Sequence, residues 1–347
     1  MDADVLRILD ANYNRAREAL RVIEDYARFV LDDADAATAA KQQRHALQEF
    51  TNTFGPAALL GARDIANDVG RDTKTPSELQ RQVPADIVHA AFGRLTEAAR
   101  TLGEYAKLTS PDAAAIAETL RYSAYELEQR LVLRGTRRAR FRNVRLYVLI
   151  TATLCQRDWL EVAAAVLRGG AGCLQLREKE LPDAELLNRA RQLRELTTRH
   201  EALLAINDRP DIARLAGADI VHVGQQDLSV KNARRIAGTS ILVGKSTHTL
   251  EQFEAARAEE PDYLAVGPMF QSPTKPQDHI AGPQTLAQAA SRTQIPLVAI
   301  GGITADNVAP IMSAGASCIC ACSAVVSTAD PEAAARTLSA AIEDYHA

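Results

Sequence analysis

The stretch VRLYVLITATLCQRDWLEVAAAVLRGGAGCLQLREK, residues 144–179, decides the fold. It opens on a short apolar run and passes through a segment with apolar residues at helical spacing. It closes on a second apolar run that ends in polar residues. That is one strand–helix–strand unit, and the pattern continues to the end of the chain. Apolar runs at 145–150, 173–176, 203–206, 220–223, 241–243, 263–266, 297–300 and 318–321 predict eight strands. Helix starts near Trp159, Ala184, Pro210, Val230, Leu250, Pro283, Ala305 and Pro331 predict a helix after each. Eight units in about 200 residues predict an α/β fold, a (β/α)8 TIM barrel. A doubly wound open sheet would carry a glycine-rich turn after its first strand, and Thr151-Ala152-Thr153-Leu154 has no glycine.

Ahead of the barrel the periodicity is helical almost throughout. Segments 5–31, 36–54, 84–108 and 111–133 carry apolar residues three and four apart, punctuated by Gly55-Pro56, Gly70 and Ser110-Pro111. They predict an all-α domain over 1–133. Arg15, Glu18, Ala19, Arg21, Tyr26 and Ala27 reappear as Arg94, Glu97, Ala98, Arg100, Tyr105 and Ala106, at an offset of 79 residues. The offset fits a duplicated helix as well as a chance likeness of two Ala/Glu/Arg-rich helices. The run RGTRRARFR (134–142) reads as a solvated basic linker over 134–143, followed by the barrel domain at 144–347.

Composition narrows the function. Lys and Arg total 40 against 44 Asp and Glu, for a net charge of −4, which argues against a nucleic-acid binder. Aromatic residues make up 5%, too few for base-stacking platforms. No apolar stretch approaches the length of a membrane span, and the acidic N-terminus lacks the form of a secretory signal. Cys155, Cys173, Cys318, Cys320 and Cys322 form no CxxC pair, so a reduced, cytoplasmic protein is expected. Cys318, Cys320 and Cys322 share one strand face and read as small core residues rather than a soft-metal site. Small-molecule substrates are the expected partners; the oligomeric state stays open, a homo-oligomer included.

In a barrel, chemistry sits where strands end. Gln175, Arg177 and Lys179 follow the second strand on one side by period-two alternation, a donor set suited to an anion with several oxygens such as pyrophosphate. A salt-bridged strand end is the plainer reading. Asn207-Asp208 and Asp227 follow the third and fourth strands, and two such carboxylates facing basic groups suit Mg²⁺ bridging to phosphate. Taken singly, each aspartate reads equally as a helix cap or turn residue. The fifth strand leads into Gly244-Lys245-Ser246-Thr247-His248 and the sixth into a loop with Ser272, Thr274 and Lys275. Gly301-Gly302 and Cys322-Ser323 close the seventh and eighth, where this fold usually holds phosphate. His222 and His248 are candidate proton relays.

Taken in order, QLREK (175–179), NDRPDIA (207–213), GADIVHVGQQDL (217–228), VGKSTHT (243–249), GPMFQSPTKP (267–276), AIGGIT (299–304) and CSAVV (322–326) resemble the thiamine-phosphate synthase family. The resemblance implies condensation of 4-amino-2-methyl-5-hydroxymethylpyrimidine diphosphate with a thiazole phosphate, or its carboxylated form, releasing pyrophosphate. It implies that Gln175, Leu176, Arg177, Glu178, Lys179, Asn207, Ser246 and Lys275 hold the pyrimidine diphosphate. Asp208 and Asp227 would bind Mg²⁺. Ser272, Pro273, Thr274, Gly302, Cys322 and Ser323 would hold the thiazole phosphate, and Arg177, Lys179, Lys275 and Ser246 would be the catalytic set. Three positions depart from the family's usual residues: Lys245, Ser272 and Cys322. A thiazole tautomerase-like barrel using His248, and a non-catalytic sensor of thiamine precursors, are the alternatives. LDANYNRAREALRVIEDYARFVLDD (9–33) resembles more loosely a domain fused ahead of such synthases in some bacteria. It implies either a pyrimidine-phosphate-kinase-like role, although no P-loop is present, or a docking role.

Overall fold

The computed structural model describes residues 2–31, 33–65, 68, 81–272 and 279–345. The chain separates into two compact units, Met1–Gly135 and Thr136–Ala347. No helix of the described residues is long and apolar enough to cross a membrane.

The first unit is helical: α1 (Ala3–Phe29), α2 (Ala34–Phe54), α3 (Pro56–Gly61), α4 (Pro84–Ala106) and α5, whose full extent is Pro111–Arg142. Side-chain caps start three of them. Asp2 accepts from the Asp4 N–H, Asp33 from Ala36 and Ser110 from Ala113. Gly55, at φ 81°, turns the chain from α2 into α3. Leu9, Leu20, Ile23, Leu47, Phe50, Phe92, Leu95, Leu102, Leu127 and Leu131 lie in one buried core.

The offset of 79 residues is structural as well as sequential. Leu9 and Val88, Ala16 and Leu95, Ile23 and Leu102, and Ala27 and Ala106 are buried at matching positions of α1 and α4. A parallel offset of 77 relates α2 to α5: Ala36 to Ala113, Ala40 to Ala117, Phe50 to Leu127, and the cap Asp33 to the cap Ser110. Two helical hairpins therefore bury the same phase. The shared Arg15/Arg94, Glu18/Glu97 and Arg21/Arg100 pairs lie on exposed faces.

The second unit is a closed parallel barrel with strands in the order β1 to β8. The strands are β1 (Leu146–Ile150), β2 (Cys173–Leu176), β3 (Leu203–Asn207), β4 (Ile220–Val223), β5 (Leu242–Thr247), β6 (Tyr263–Val266), β7 (Leu297–Ile300) and β8 (Cys318–Ala321). Between and after them lie α6 (Trp159–Arg168), α7 (Asp183–Arg199), α8 (Pro210–Leu215), α9 (Val230–Ala237), α10 (Leu250–Ala258), α11 (Gly282–Ala290), α12 (Ala309–Ser313), α13 (Ser323–Val326) and α14 (Pro331–Glu343). Outward residues such as Val148, Leu174, Leu204 and Val221 pack on the helices. Inward residues fill the centre, among them Tyr147, Cys173, Leu203, Leu242, Tyr263, Val298 and Cys318. The alternation of two apolar layers is what a fully covered parallel sheet requires.

The expected linker at 134–143 is instead helical as far as Arg142, and its charges are used. Arg134 joins Arg130 on the buried Asp33. Within the second unit, Arg137 pairs with Asp219, Arg138 with Asp262, and Arg140 donates to the Glu201 carbonyl. Phe141 is buried against the Tyr147 and Tyr263 rings, stacked on the latter at 4.6 Å between centroids. The arginines' partners in the second unit lie 61 to 124 positions further along the chain, so nothing local announces them. Strand β5 also runs past the predicted end at Val243. Its polar half alternates, Lys245 toward the helices and Ser246 toward the centre, and an apolar-run criterion stops too early.

Candidate active site

The register sets the functional side chains side by side at the strand ends. Leu176 pairs with Ile206, Asn207 with His222, His222 with Gly244, and Ser246 with Ala265. Gln175 points inward and is buried; its amide donates to the Tyr147 hydroxyl at 2.6 Å. Arg177 continues the β1–β2 ladder through its N–H to Ile150, and its charge lies near enough to Cys322 to offset part of the rise that burial imposes on that thiol. Arg177 thus lies near the end of β8 as well as the end of β2.

Asp208 adopts a left-handed backbone at φ 60°, which a short polar side chain tolerates better than most. Its N–H donates to the His222 carbonyl at 2.8 Å, pinning the turn. The carboxylate accepts from the Asn207 amide at 2.6 Å and lies 3.8 Å from the Lys179 ammonium. It also hydrogen-bonds the Asp227 carboxyl. Burial first, and then that neighbour, push Asp208 up to about 6, against the opposing pull of Lys179 and Asn207. Asp227 accepts from the Gly224 N–H at 2.8 Å, so a tight turn fixes it. Arg209 occupies the cap position of α8, which removes the helix-cap reading of Asp208.

Ser246 accepts or donates at 2.7 Å to His222 Nε2, whose Nδ1 meets the Tyr263 hydroxyl at 2.8 Å. Burial, the largest influence, holds His222 neutral, down to about 4. His248 is engaged elsewhere, its Nδ1–H donating to the Gly267 carbonyl at 2.6 Å. Lys245 is buried among the helices, 3.5 Å from Glu259, and does not face the centre.

On the other side, Ile300 pairs with Cys320, so the loops after β7 and β8 are neighbours. The β6 loop lies across the β7 loop: Met269 N–H donates to Ile300 and Phe270 N–H to Gly301. Gly302 has φ 67°, and a side chain there would stand 2.5 Å from the Gln271 carbonyl. Asn307 braces the turn from both sides, accepting from Thr304 N–H and donating to the Gly302 carbonyl. Ser323 opens the short α13, with Cys322 at its cap position.

The predicted set thus divides. Gln175, Arg177, Lys179, Asn207, Asp208, Asp227 and Ser246 gather at the ends of β2 to β5, while Gly302, Cys322 and Ser323 follow β7 and β8. Leu176 is buried in the outer apolar layer. Glu178 is held by the Ala152 N–H at 2.8 Å and by Arg189, bracing the β1 loop. Ser272 is described, whereas Pro273, Thr274 and Lys275 lie outside the described residues. Sequence reading missed the roles of Tyr147 and Tyr263, because an aromatic inside an apolar run looks like core. Among the described residues no group of three or more His, Cys, Asp and Glu could hold a metal. The two adjoining carboxylates are the oxygen ligands these residues offer, a set that suits a hard cation whose remaining positions are filled from outside the protein.

The chain is similar to known proteins along nearly its whole length. The profile of the family described as "Thiamine monophosphate synthase" matches residues 146–325, and that of the "ThiD2 family" matches residues 7–130. The chain is 40% identical over 332 residues to a thiamine-phosphate synthase of Thermosynechococcus vestitus, covering 96% of this chain and 93% of that protein. It is 39% identical over 327 residues to one from Gloeobacter violaceus, covering 94% of each. Among solved structures, it is similar to a thiamine phosphate pyrophosphorylase from Pyrococcus furiosus at a TM-score of 0.56 and 31% identity, covering 60% of this chain and all of that one.

Proposed function

Because the chain belongs to the thiamine-phosphate synthase family and its activity is the formation of thiamine phosphate, we propose that the rim of β2 to β5 holds the pyrimidine diphosphate and the loops after β6 to β8 hold the thiazole phosphate. Arg177, Lys179 and Lys275 neutralise the diphosphate as its bond to the pyrimidine methylene breaks, and Gln175, Asn207 and Ser246 orient the ring. The pyrimidine amino group pushes the diphosphate out and leaves a stabilised cation, which the thiazole nitrogen attacks. No protein nucleophile is required. Backbone N–H groups near Gly302 and Ser323, with Ser272 and Thr274, anchor the partner so that its nitrogen faces the methylene. Catalysis is then electrostatic stabilisation of the leaving group together with positioning.

Asp208 and Asp227 fit a divalent cation: two carboxyls meet at hydrogen-bonding distance, one of them pushed up to about 6 by burial and by the other. Mg²⁺ held there would supply positive charge to the departing diphosphate. The observation that carries the reading is the convergence of Lys179, Asn207, Asp208 and Asp227, from three different strand ends, on one point.

Pyrophosphate release on mixing both substrates tests it. Release should require added Mg²⁺ and stop with a chelator. Asp227→Asn should raise the Mg²⁺ concentration for half-maximal rate by roughly 10-fold or more, the loss of one charged ligand. Metal-independent turnover, or an unshifted Mg²⁺ curve in the variant, counts against the metal assignment.

A further inference from the structure

The two side chains proposed to orient the pyrimidine are the ends of one buried chain of hydrogen bonds. Gln175 Nε2 meets the Tyr147 hydroxyl at 2.6 Å, which meets the Tyr263 hydroxyl at 3.3 Å. Tyr263 meets His222 Nδ1 at 2.8 Å, and His222 Nε2 meets Ser246 Oγ at 2.7 Å. The chain crosses the barrel interior from β2 through β1, β6 and β4 to β5. Its middle members are buried, at 1% exposure for Tyr147, none for Tyr263 and 8% for His222.

Such a chain has a direction. An amide nitrogen donates and does not accept. Tyr147 therefore accepts from Gln175, and the arrangement in which every member of the chain gives one bond and takes one has Tyr147 donating to Tyr263. Tyr263 in turn donates to His222 Nδ1. A neutral imidazole with Nδ1 accepting carries its hydrogen on Nε2, which donates to Ser246 Oγ. The Ser246 hydroxyl hydrogen is then left for a ligand, and so is the carbonyl oxygen of Gln175.

We infer that Tyr147, Tyr263 and His222 are positioning residues that set the polarity of the pyrimidine pocket, so that Gln175 presents an acceptor and Ser246 a donor. An aminopyrimidine offers the complement, an amino N–H and a ring nitrogen lone pair. The inference rests on the assignment of Gln175 and Ser246 to the pyrimidine substrate. The scaffold is built for this chain. Gly244 leaves room for the Tyr263 ring, with which any side chain there would collide, and Phe141 supports the same ring from below.

A double-mutant cycle on the full chain tests it. Tyr263→Phe removes one oxygen and keeps the ring. It should lower kcat roughly 10- to 100-fold, the scale of losing an orienting bond behind a ligating group, with KM for the thiazole phosphate within about twofold. In a Ser246→Ala background the same change should cost clearly less, what remains being the effect on the Gln175 end of the chain, since no hydroxyl is left to be aimed at the other. An equal loss in both backgrounds, or no loss in the first, overturns the relay. Wild-type turnover of Ser246→Ala alone overturns the assignment of Ser246, and the relay with it. If Tyr263→Phe fails to fold, as read by circular dichroism, the His222 pair decides. His222→Gln, whose amide reaches toward Ser246, should stay within about fivefold of wild type while His222→Leu loses roughly 10- to 100-fold. Equal losses overturn the inference.

Discussion

Lys245 shows how a residue's meaning depends on which way its strand points it. It precedes Ser246, which faces the barrel centre, yet alternation sends it into the helical layer, 3.5 Å from Glu259. Glu259 also accepts the Val230 N–H at 2.7 Å, so the pair ties β5 to α9. The cysteines are similar: position decides their chemistry. Burial, with Cys322, Glu178 and Asp158 adding to it, pushes Cys155 up to about 11. Between pH 9 and 11 the unfolded chain has lost this proton while the folded chain keeps it. Stability from this group is full below 9 and declines as pH rises through that window. Urea midpoints at pH 8 and pH 10.5 should therefore fall more for the wild type than for Cys155→Ala. At the scale of single residues, the placement of the charged groups at the strand ends was readable, because each apolar run stops where they begin. Glu178 and the tyrosines were not. Glu178 is held by a backbone N–H 26 positions away and by Arg189 11 positions on, and hydroxyls inside an apolar run carry no distinguishing pattern.

Two acidic residues do the same work on two strands. Asp219, just before β4, accepts from the Leu204 N–H and pairs with Arg137 and Arg194. Asp262, just before β6, accepts from the Val243 N–H and pairs with Arg138 and Arg234. Each thus ties the end of one strand to its neighbour, and successive arginines of α5 reach both. Asp262 is fully buried, so Asp262→Ala leaves guanidinium groups without their carboxylate. It should destabilise the protein by ~3–5 kcal/mol, measured by chemical denaturation. At this scale the eight strands were legible from apolar runs bounded by polar residues. Helix α12 begins at Ala309 rather than near Ala305, because Asn307 holds a turn against Thr304 N–H and the Gly302 carbonyl. The tail of α5 escaped because a run of arginines without local acids looks solvated.

The division at Gly135 and Thr136 makes a specific claim about which pieces belong together. The solved Pyrococcus furiosus protein is matched along its whole length by 60% of this chain, so a barrel of this kind exists without a helical unit. A chain that starts at Thr136 keeps Arg137, Arg138 and Phe141 and should retain synthase activity. One that starts at Val144 loses these and should melt at a lower temperature. Differential scanning calorimetry of the two would check this, and equal melting temperatures would contradict it. The two-unit organisation was legible as a change of hydrophobic period. The boundary was not, since the helix that crosses it gives no sign of where one core ends and the other begins.

Phe141, Val144, Tyr147 and Tyr263 stop up the lower end of the barrel. Traffic must then share a single doorway at the rim. On the proposed assignment, the spent diphosphate leaves through the opening by which the next charged pyrimidine arrives, and it fits the same cationic berth. Pyrophosphate should accordingly act as a competitor of its own parent, so throughput depends on how quickly the surroundings remove that by-product.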